Sequence, residues 1–282
     1  MAGVSMKGIK LRIRSMESTK QITKAMEMVA ASKLRRAQDN VTRSRPYFET
    51  LYSTVCEISG SSDAFTSPYL EEREVQKSLY VVIAGDRGLA GGYNHNVLKL
   101  AEAEMSGKNV TVLPIGKRSV DHFRAHGFEI LSDVWAQAGD LSVSDCFTMA
   151  RELCKRFLDG EFDEVHLVYT NFVSILVQQP SVLKLLPLHG TGEAGDDKSE
   201  TLYEPDSETL FAAVVPEYLG GLIYGALCES VASEQGARRT AMDSATKNAE
   251  DMISDLSLKY NRARQGAITQ EITEIVAGST VS

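Results

Sequence analysis

A glycine-rich turn is the first place where residue types and spacing favour ligand chemistry. The run Gly85-Asp86-Arg87-Gly88-Leu89-Ala90-Gly91-Gly92 follows a predicted strand and precedes a predicted helix. Peptide N–H groups at such a junction can bind phosphate, since they point out of the start of a helix. The spacing, however, is neither GxGxxG nor GxxxxGK[ST]. The favoured interpretation is a structural turn in which Asp86 or Arg87 makes local hydrogen bonds, with a phosphate site as the alternative.

Two of the five histidines have the spacing of metal ligands on a helix. His122 and His126 lie one turn apart. A zinc site needs at least a third protein ligand, and none lies nearby in the sequence. A solvated helix face is therefore the favoured interpretation, and no metal site is predicted.

Other chemistry has little support in the sequence. The four cysteines at 56, 146, 154 and 228 form no CxxC motif, which favours reduced thiols in a cytoplasmic-type compartment. No Ser, Cys or Lys lies in a nucleophile motif, and carboxylate pairs such as Glu250-Asp251 fall on a long exposed helix. The sequence therefore predicts neither a catalytic site nor a bound cofactor.

Charge is distributed unevenly along the 282 residues, whose formal net charge is −8. Residues 1–46 carry five Lys and six Arg against two Glu and one Asp, a net of +8. Residues 206–282 carry two Lys and four Arg against eleven acids, a net of −5. The basic segment has no aromatic residue before Tyr47 for stacking on bases. Pairing with an acidic protein surface or with the acidic second helix is favoured over nucleic-acid binding.

Two long amphipathic helices are predicted at the ends of the chain. The first covers roughly residues 4–58, and its apolar positions step mostly by three and four with one gap of six: Ile9, Ile13, Met16, Ile22, Met26, Val29, Leu34, Ala37 and Val41. The second begins near Asp206 and runs almost to the end of the chain. Between them, strands are predicted at 79–84, 110–115, 128–131 and 165–169, with helices at 94–106, 117–126 and 143–158. Residues 172–188 are predicted to add a strand or strand pair broken at Pro180, and 189–199 a loop.

This alternation predicts an open α/β domain with a largely parallel sheet. The predicted segments are 1–58, 59–205 and 206–282. The longest stretch without charged residues, 165–183, is interrupted by Asn, Gln and Pro, which argues against a membrane span there.

The two terminal helices are predicted to pack antiparallel, because both leave the same domain and carry opposite net charges. If their roots are level, residue i of the first lies opposite about residue 264 − i of the second, at about 1.5 Å per residue. Met26 then faces the neighbourhood of Arg238. Beyond about residue 262 the second helix has no partner, so its apolar tip is expected to be held by another protein. Arg264, Gln265 and Thr269 lie at the start of this tip, and partner contact and an ordinary solvated surface are equally open for them.

Several segments together resemble the gamma subunit family of F-type ATP synthases: residues 22–33, the turn at 85–94, 202–206, 233–238 and 260–271. The similarity covers essentially the whole chain in order and is strongest at both ends. The resemblance implies an antiparallel coiled coil of the terminal helices, with a Rossmann-like open α/β domain inserted between them. It also implies the central rotary shaft of the proton-translocating ATP synthase. Such a shaft couples rotation of the membrane ring to conformational change in the three catalytic beta subunits for ATP synthesis or hydrolysis.

The resemblance further implies partners and contact residues. The partners are the alpha and beta subunits, the epsilon subunit and the membrane c-ring, with indirect membrane association at the cytoplasmic face of the bacterial inner membrane, or the matrix or stroma side in an organelle. Lys24 and Met26, with Arg238 beside them, match positions that contact lever loops of beta. Arg264, Gln265 and Thr269 match positions that engage the catch loop of beta. Tyr203 and Glu204 match the stretch that lies near the c-ring and epsilon. The alternative is a nucleotide-binding α/β protein with a coiled-coil adaptor arm.

Overall fold

The computed structural model describes residues 6–59, 66–135, 137–188, 204 and 206–279. Contacts divide the chain into two compact units, one of Ala31–Ala237 and one of Met1–Ala30 with Arg238–Ser282. In chain order the elements are α1 (Met6–Ser59), β1 (Ser78–Ile83), α2 (Tyr93–Met105), β2 (Val110–Ile115), α3 (Lys117–Ala125), β3 (Glu129–Ile130), a 3-10 turn (Ala138–Asp140), α4 (Val143–Leu158), β4 (Glu164–Phe172), β5 (Gln178–Leu186) and α5 (Ser207–Ser279).

A five-stranded sheet forms the centre of the larger unit. Its strand order is β3-β2-β1-β4-β5, in which β5 alone runs antiparallel, paired with β4. Parallel neighbours need crossover connections, which helices α2, α3 and α4 provide. Pro180 lies inside β5, where it is tolerated because β5 is an edge strand. The predicted α/β fold with long terminal helices is confirmed.

Strand β1 supplies side chains to two cores, because successive residues of a strand point to opposite faces. Leu79, Val81 and Ile83 pack in one core with α4, the start of α5 and the end of α1. Tyr80 and Val82 pack in the other with α2 and α3. Both helical layers are thereby fixed to the same sheet.

One stretch of α5 is long and apolar enough, by composition alone, to cross a membrane. In the structure Phe211, Val215, Leu219 and Ile223 of this helix are almost fully buried in the core against the sheet. Packing against the sheet accounts for the apolar composition of these positions, since a core helix of a soluble domain meets the same criterion.

Buried thiols lie in that same core. Burial raises the pKa of Cys146 and of Cys154 to about 12. The thiolate is the reactive form of cysteine, so burial disfavours reaction at these two side chains.

Helix α1 buries or half-buries seven of the nine predicted apolar positions, all but Ile22 and Val29. One series of its buried and half-buried residues alternates steps of four and three: 9, 13, 16, 20, 23, 27, 30, 34, 37, 41, 44, 48, 51, 55 and 58. Residues 8, 26, 31, 54, 56 and 59, beside this series, are also half-buried. The predicted positions Ile22 and Val29 are instead 58% and 57% exposed. The prediction followed side-chain hydrophobicity, whereas the seam also passes through the polar residues Lys20, Thr23 and Glu27. Lys20 lies in the gap of six between Met16 and Ile22.

Candidate partner-binding surface

In the smaller unit, the start of α1 and the end of α5 pack antiparallel, as predicted. Thr23 Oγ1 lies 2.7 Å from Thr246 Oγ1, and Lys20 Nζ lies 2.8 Å from Glu250 Oε1. Residue i of α1 is therefore opposite about residue 270 − i of α5, and Met26 lies opposite about residue 244. The predicted register, with Met26 facing Arg238, was wrong by about six residues.

Ring contacts in the larger unit explain this register error. The rings of Tyr52 and Tyr218 lie 6.1 Å apart, and those of Phe48 and Tyr224 lie 6.2 Å apart. Extending this pairing places the end of α1 level with a residue about one turn inside α5. The end of α1 and the start of α5 are therefore not level with each other, because the first turns of α5 pack against the sheet.

Two buried threonine hydroxyls form a polar pair in the helix seam. The Thr246 hydroxyl donates to the Met242 carbonyl at 2.8 Å, and the Thr23 hydroxyl lies within reach of both Thr246 and the Lys20 carbonyl. A polar pair in an otherwise apolar seam favours one register over its neighbours. The nearby Lys20–Glu250 ion pair is half exposed, so solvent screening leaves it a minor contribution.

A double-mutant cycle at this threonine pair measures its coupling. Thr23→Val and Thr246→Val are each expected to lower the free energy of unfolding by about 1 kcal/mol, because each leaves a buried hydroxyl without its cross-helix partner. The double variant is expected to cost less than the sum of the two, measured by urea unfolding. Thr42→Val is the matched control, since the Thr42 hydroxyl is exposed and contacts only its own helix. Strictly additive costs would contradict the pairing.

An exposed apolar face surrounds the predicted contact residues of α1. Lys24 is exposed, and its hydrogen bond to Glu27, 2.8 Å long, raises the pKa of the ammonium group. Met26 is half-buried, while Ile22, Met28 and Val29 are more than half exposed. Sequence reasoning assigned Ile22 and Val29 to the seam, although their departure from the regular three-four spacing was the signal that they face outward.

Arg238 does not belong to this exposed surface. Its side chain is buried, with 8% exposure, and it has an interaction partner in the structure. The structure therefore does not bring Arg238 together with Met26 as an exposed contact pair.

The end of α5, residues 264–276, is here termed the C-terminal tip. Arg264, Gln265 and Thr269 are exposed, and the Thr269 hydroxyl donates to the Gln265 carbonyl at 2.9 Å. Four large apolar side chains of the tip are 48–71% exposed: Ile268, Ile272, Ile275 and Val276. An apolar strip of this size on a single helix is the kind of surface that another protein covers.

Polar groups of the glycine turn form hydrogen bonds with other groups of the protein. The Gly85 N–H donates to Asn94 Oδ1 at 2.8 Å, and the Asp86 carboxylate accepts from the N–H groups of Ala138 and Gly139 at 2.9 and 3.0 Å. Leu89 adopts a positive φ of 60° with its side chain exposed. Asp86 thus ties this turn to the 3-10 turn, an arrangement that agrees with the structural interpretation.

Of the two residues predicted to lie near the c-ring and epsilon, one is among the residues that the structure describes. Glu204 is exposed in a bend. Tyr203 lies outside the residues that the structure describes.

Comparison with known proteins gives full-length matches. The model of the ATP synthase family matches residues 5–280. The ATP synthase gamma chain of Ruminococcus albus is 45% identical over 280 residues, with 98% of each chain covered. The sodium ion specific ATP synthase gamma chain of Acetobacterium woodii is 41% identical over 291 residues, with 96% of each covered.

A solved structure has the same fold. A chain in the cryo-EM structure of the Euglena gracilis mitochondrial ATP synthase OSCP/F1/c-ring assembly superposes with a TM-score of 0.68 at 22% identity. The match covers 98% of this sequence and 94% of that chain. The arrangement of long terminal helices and central sheet is therefore shared over almost the whole length.

Proposed function

Since this chain belongs to the ATP synthase gamma chain family, we propose that it is the central rotary shaft of an ion-translocating ATP synthase. Rotation of a membrane ring is transmitted by the shaft to the catalytic subunits, which make or hydrolyse ATP. The observation that carries this role is the C-terminal tip, a helix end whose apolar residues are exposed over several turns. A shaft that ends inside a ring of other subunits would bury such an apolar surface against them.

The shaft acts by binding catalytic subunits unequally. A helix pair has no threefold symmetry, so three identical subunits around it meet different faces of the pair. Each face stabilises one conformation of its neighbour and so shifts that subunit's population toward one nucleotide affinity. Rotation exchanges the faces and drives every subunit through the same sequence of states.

The partners follow from the family. They are a ring of alpha and beta subunits, the epsilon subunit and the membrane c-ring. Similar chains occur in structures described as OSCP/F1/c-ring and as rotor assemblies. Membrane association is peripheral and occurs through the ring, at the cytoplasmic face of the bacterial inner membrane.

Contact roles are assigned to residues of the two helices and of the segment before α5. Lys24 and Met26, with the apolar face around them, contact lever loops of beta. Arg264, Gln265 and Thr269 engage its catch loop, and Tyr203 and Glu204 approach the c-ring and epsilon. Arg238, which is buried, supports the helix from within rather than touching beta.

The three segments of the chain have different roles. Residues 1–58 and 206–282 form the shaft, and residues 59–205 form the foot domain. We assign no catalytic site to the chain. In the glycine turn, the Gly85 N–H and the Asp86 carboxylate bind other groups of the protein, which supports a structural role for the turn.

Reconstitution tests the shaft role. The isolated protein is expected to hydrolyse no ATP, whereas mixing it with alpha and beta subunits is expected to give a stable complex with ATPase activity. A chain truncated before Arg264 is expected to join the complex with altered turnover, because the C-terminal tip is missing. Hydrolysis by the isolated chain, or failure to join alpha and beta, would contradict the proposal.

A further inference from the structure

We propose that Glu102, His122 and His126 form a zinc site on the foot domain, with an open fourth position filled by water. One ligand atom from each residue lies within 4.8 Å of the other two. Two imidazoles and a carboxylate with one open position form a known ligand set for Zn²⁺. The third ligand, which the sequence spacing did not supply, comes from helix α2, next to α3 in space.

The two helices hold these ligands on a rigid support. Ala101 and Phe123, the neighbours of Glu102 and His122, are fully buried in the core beneath α2 and α3. The His122 ring stands edge-on to the Phe123 ring at 5.3 Å. Ligands placed on packed helices keep their geometry better than ligands on loops.

One ring nitrogen of His126 makes a hydrogen bond of the kind that orients metal ligands. Its Nδ1 lies 2.8 Å from the His122 carbonyl oxygen. A carbonyl oxygen only accepts, so Nδ1 is the donor in this hydrogen bond, and Nε2 is the nitrogen left to bind a metal. This is the hydrogen bond from the outer nitrogen by which proteins orient metal-bound histidines.

His122 and Glu102 already lie at nearly the separation of two ligands on one ion. His122 Nε2 is 2.9 Å from Glu102 Oε1. Two ligands at about 2.0–2.1 Å from a tetrahedral zinc ion lie roughly 3.3 Å apart, so the pair needs to open by only a few tenths of an ångström. The carboxylate only accepts, so His122 Nε2 donates to Glu102 in the metal-free chain. Zinc binding at Nε2 displaces that proton, and the neutral ring then carries its single proton on Nδ1.

The local charge also favours a cation. His126 is the residue after the last turn of α3, where the helix dipole is negative. The neighbouring Arg124 directs its guanidinium to Asp133 at 2.8 Å, so its positive charge is balanced by a carboxylate. The nitrogen donors select Zn²⁺ over Mg²⁺ and Ca²⁺, which prefer oxygen.

Zinc titration of the full-length chain, prepared without a histidine tag, tests the site. With a colorimetric chelator as competitor, we expect one equivalent to bind to the wild type. His126→Ala and Glu102→Gln are each expected to weaken that binding at least about tenfold. Excess Mg²⁺ is expected not to compete. The unfolding midpoint of the wild type should rise with zinc, because ligation links α2 to α3, and that of Glu102→Gln should not.

His95→Ala is the matched control, because His95 is an exposed histidine of α2 outside the cluster. It is expected to leave zinc affinity unchanged. NMR signals of the imidazole nitrogens should show zinc at Nε2 of His122 and of His126, and far-UV circular dichroism should confirm that the variants fold. The proposal is overturned if no equivalent binds, if folded His126→Ala binds as tightly as the wild type, or if His95→Ala weakens binding equally.

Discussion

Replacing Arg264 by alanine is expected to lower ATP turnover of the reconstituted complex about tenfold, while the unfolding midpoint of the isolated chain stays unchanged. Arg264 is exposed in the structure, so its removal costs the chain itself little. In the complex its guanidinium is proposed to donate to groups of beta, and a hydrogen bond of this charged kind contributes about 1.5–3 kcal/mol. About 1.4 kcal/mol corresponds to a tenfold change in rate.

Lys259→Ala is the matched control for Arg264→Ala. Lys259 is an exposed cation on the same helix, just before the C-terminal tip and outside the predicted contact residues. Its removal subtracts the same charge and is expected to change turnover less than twofold. Equal losses in the two variants would show a general charge effect and refute a specific contact. An Arg264→Ala chain that no longer assembles would show a role in assembly rather than in turnover.

The exposed C-terminal tip was predictable from lengths alone. The sequence gives one helix of about 55 residues and one of about 75, and helices of unequal length rooted in one domain leave an end without a partner. Exposure of Ile268, Ile272 and Ile275 agrees with this. This prediction does not depend on the exact register. An offset of six residues changes the residue at which helix pairing ends, but the longer helix still extends past the shorter one.

Hydrophobicity predicted only part of the seam of α1. Lys20, Thr23 and Glu27 occupy seam positions, while the apolar Ile22 and Val29 face outward. The burial of Thr23 depends on a partner 223 residues away, Thr246, whose hydroxyl it meets. Local pattern cannot supply that pairing. The apolar residues off the seam were the better indication of a surface for other subunits.

The histidine cluster shows the same limit at the foot domain. Spacing identified His122 and His126 as one helix face and found no third ligand. Glu102 lies twenty positions earlier, on a helix that the sheet order places beside α3. The fold class could be predicted from alternating strands and helices, whereas which helices are neighbours on one face depends on the strand order.

Gly116→Ala is expected to lower the free energy of unfolding by about 3 kcal/mol or more, the largest expected cost of any substitution considered. Gly116 joins β2 to α3 with φ of 89° and ψ of 144°, a conformation that residues with a side chain rarely adopt. An added Cβ would also collide with the carbonyl group of Ala84 at the end of β1. Neither a backbone oxygen nor a packed strand end can move away cheaply.

Gly107→Ala separates the two causes of that cost. Gly107 also has a positive φ, 77°, but nothing lies within 4 Å of an added Cβ. This control is expected to cost only the left-handed backbone strain, about 1–2 kcal/mol. Urea unfolding can be followed by the fluorescence of Trp135, the one tryptophan, whose carbonyl accepts from the Gly116 N–H at 3.1 Å. Equal costs at 107 and 116 would mean that the contact with Ala84 contributes nothing, and that the approach of β1 to the start of α3 tolerates a methyl group.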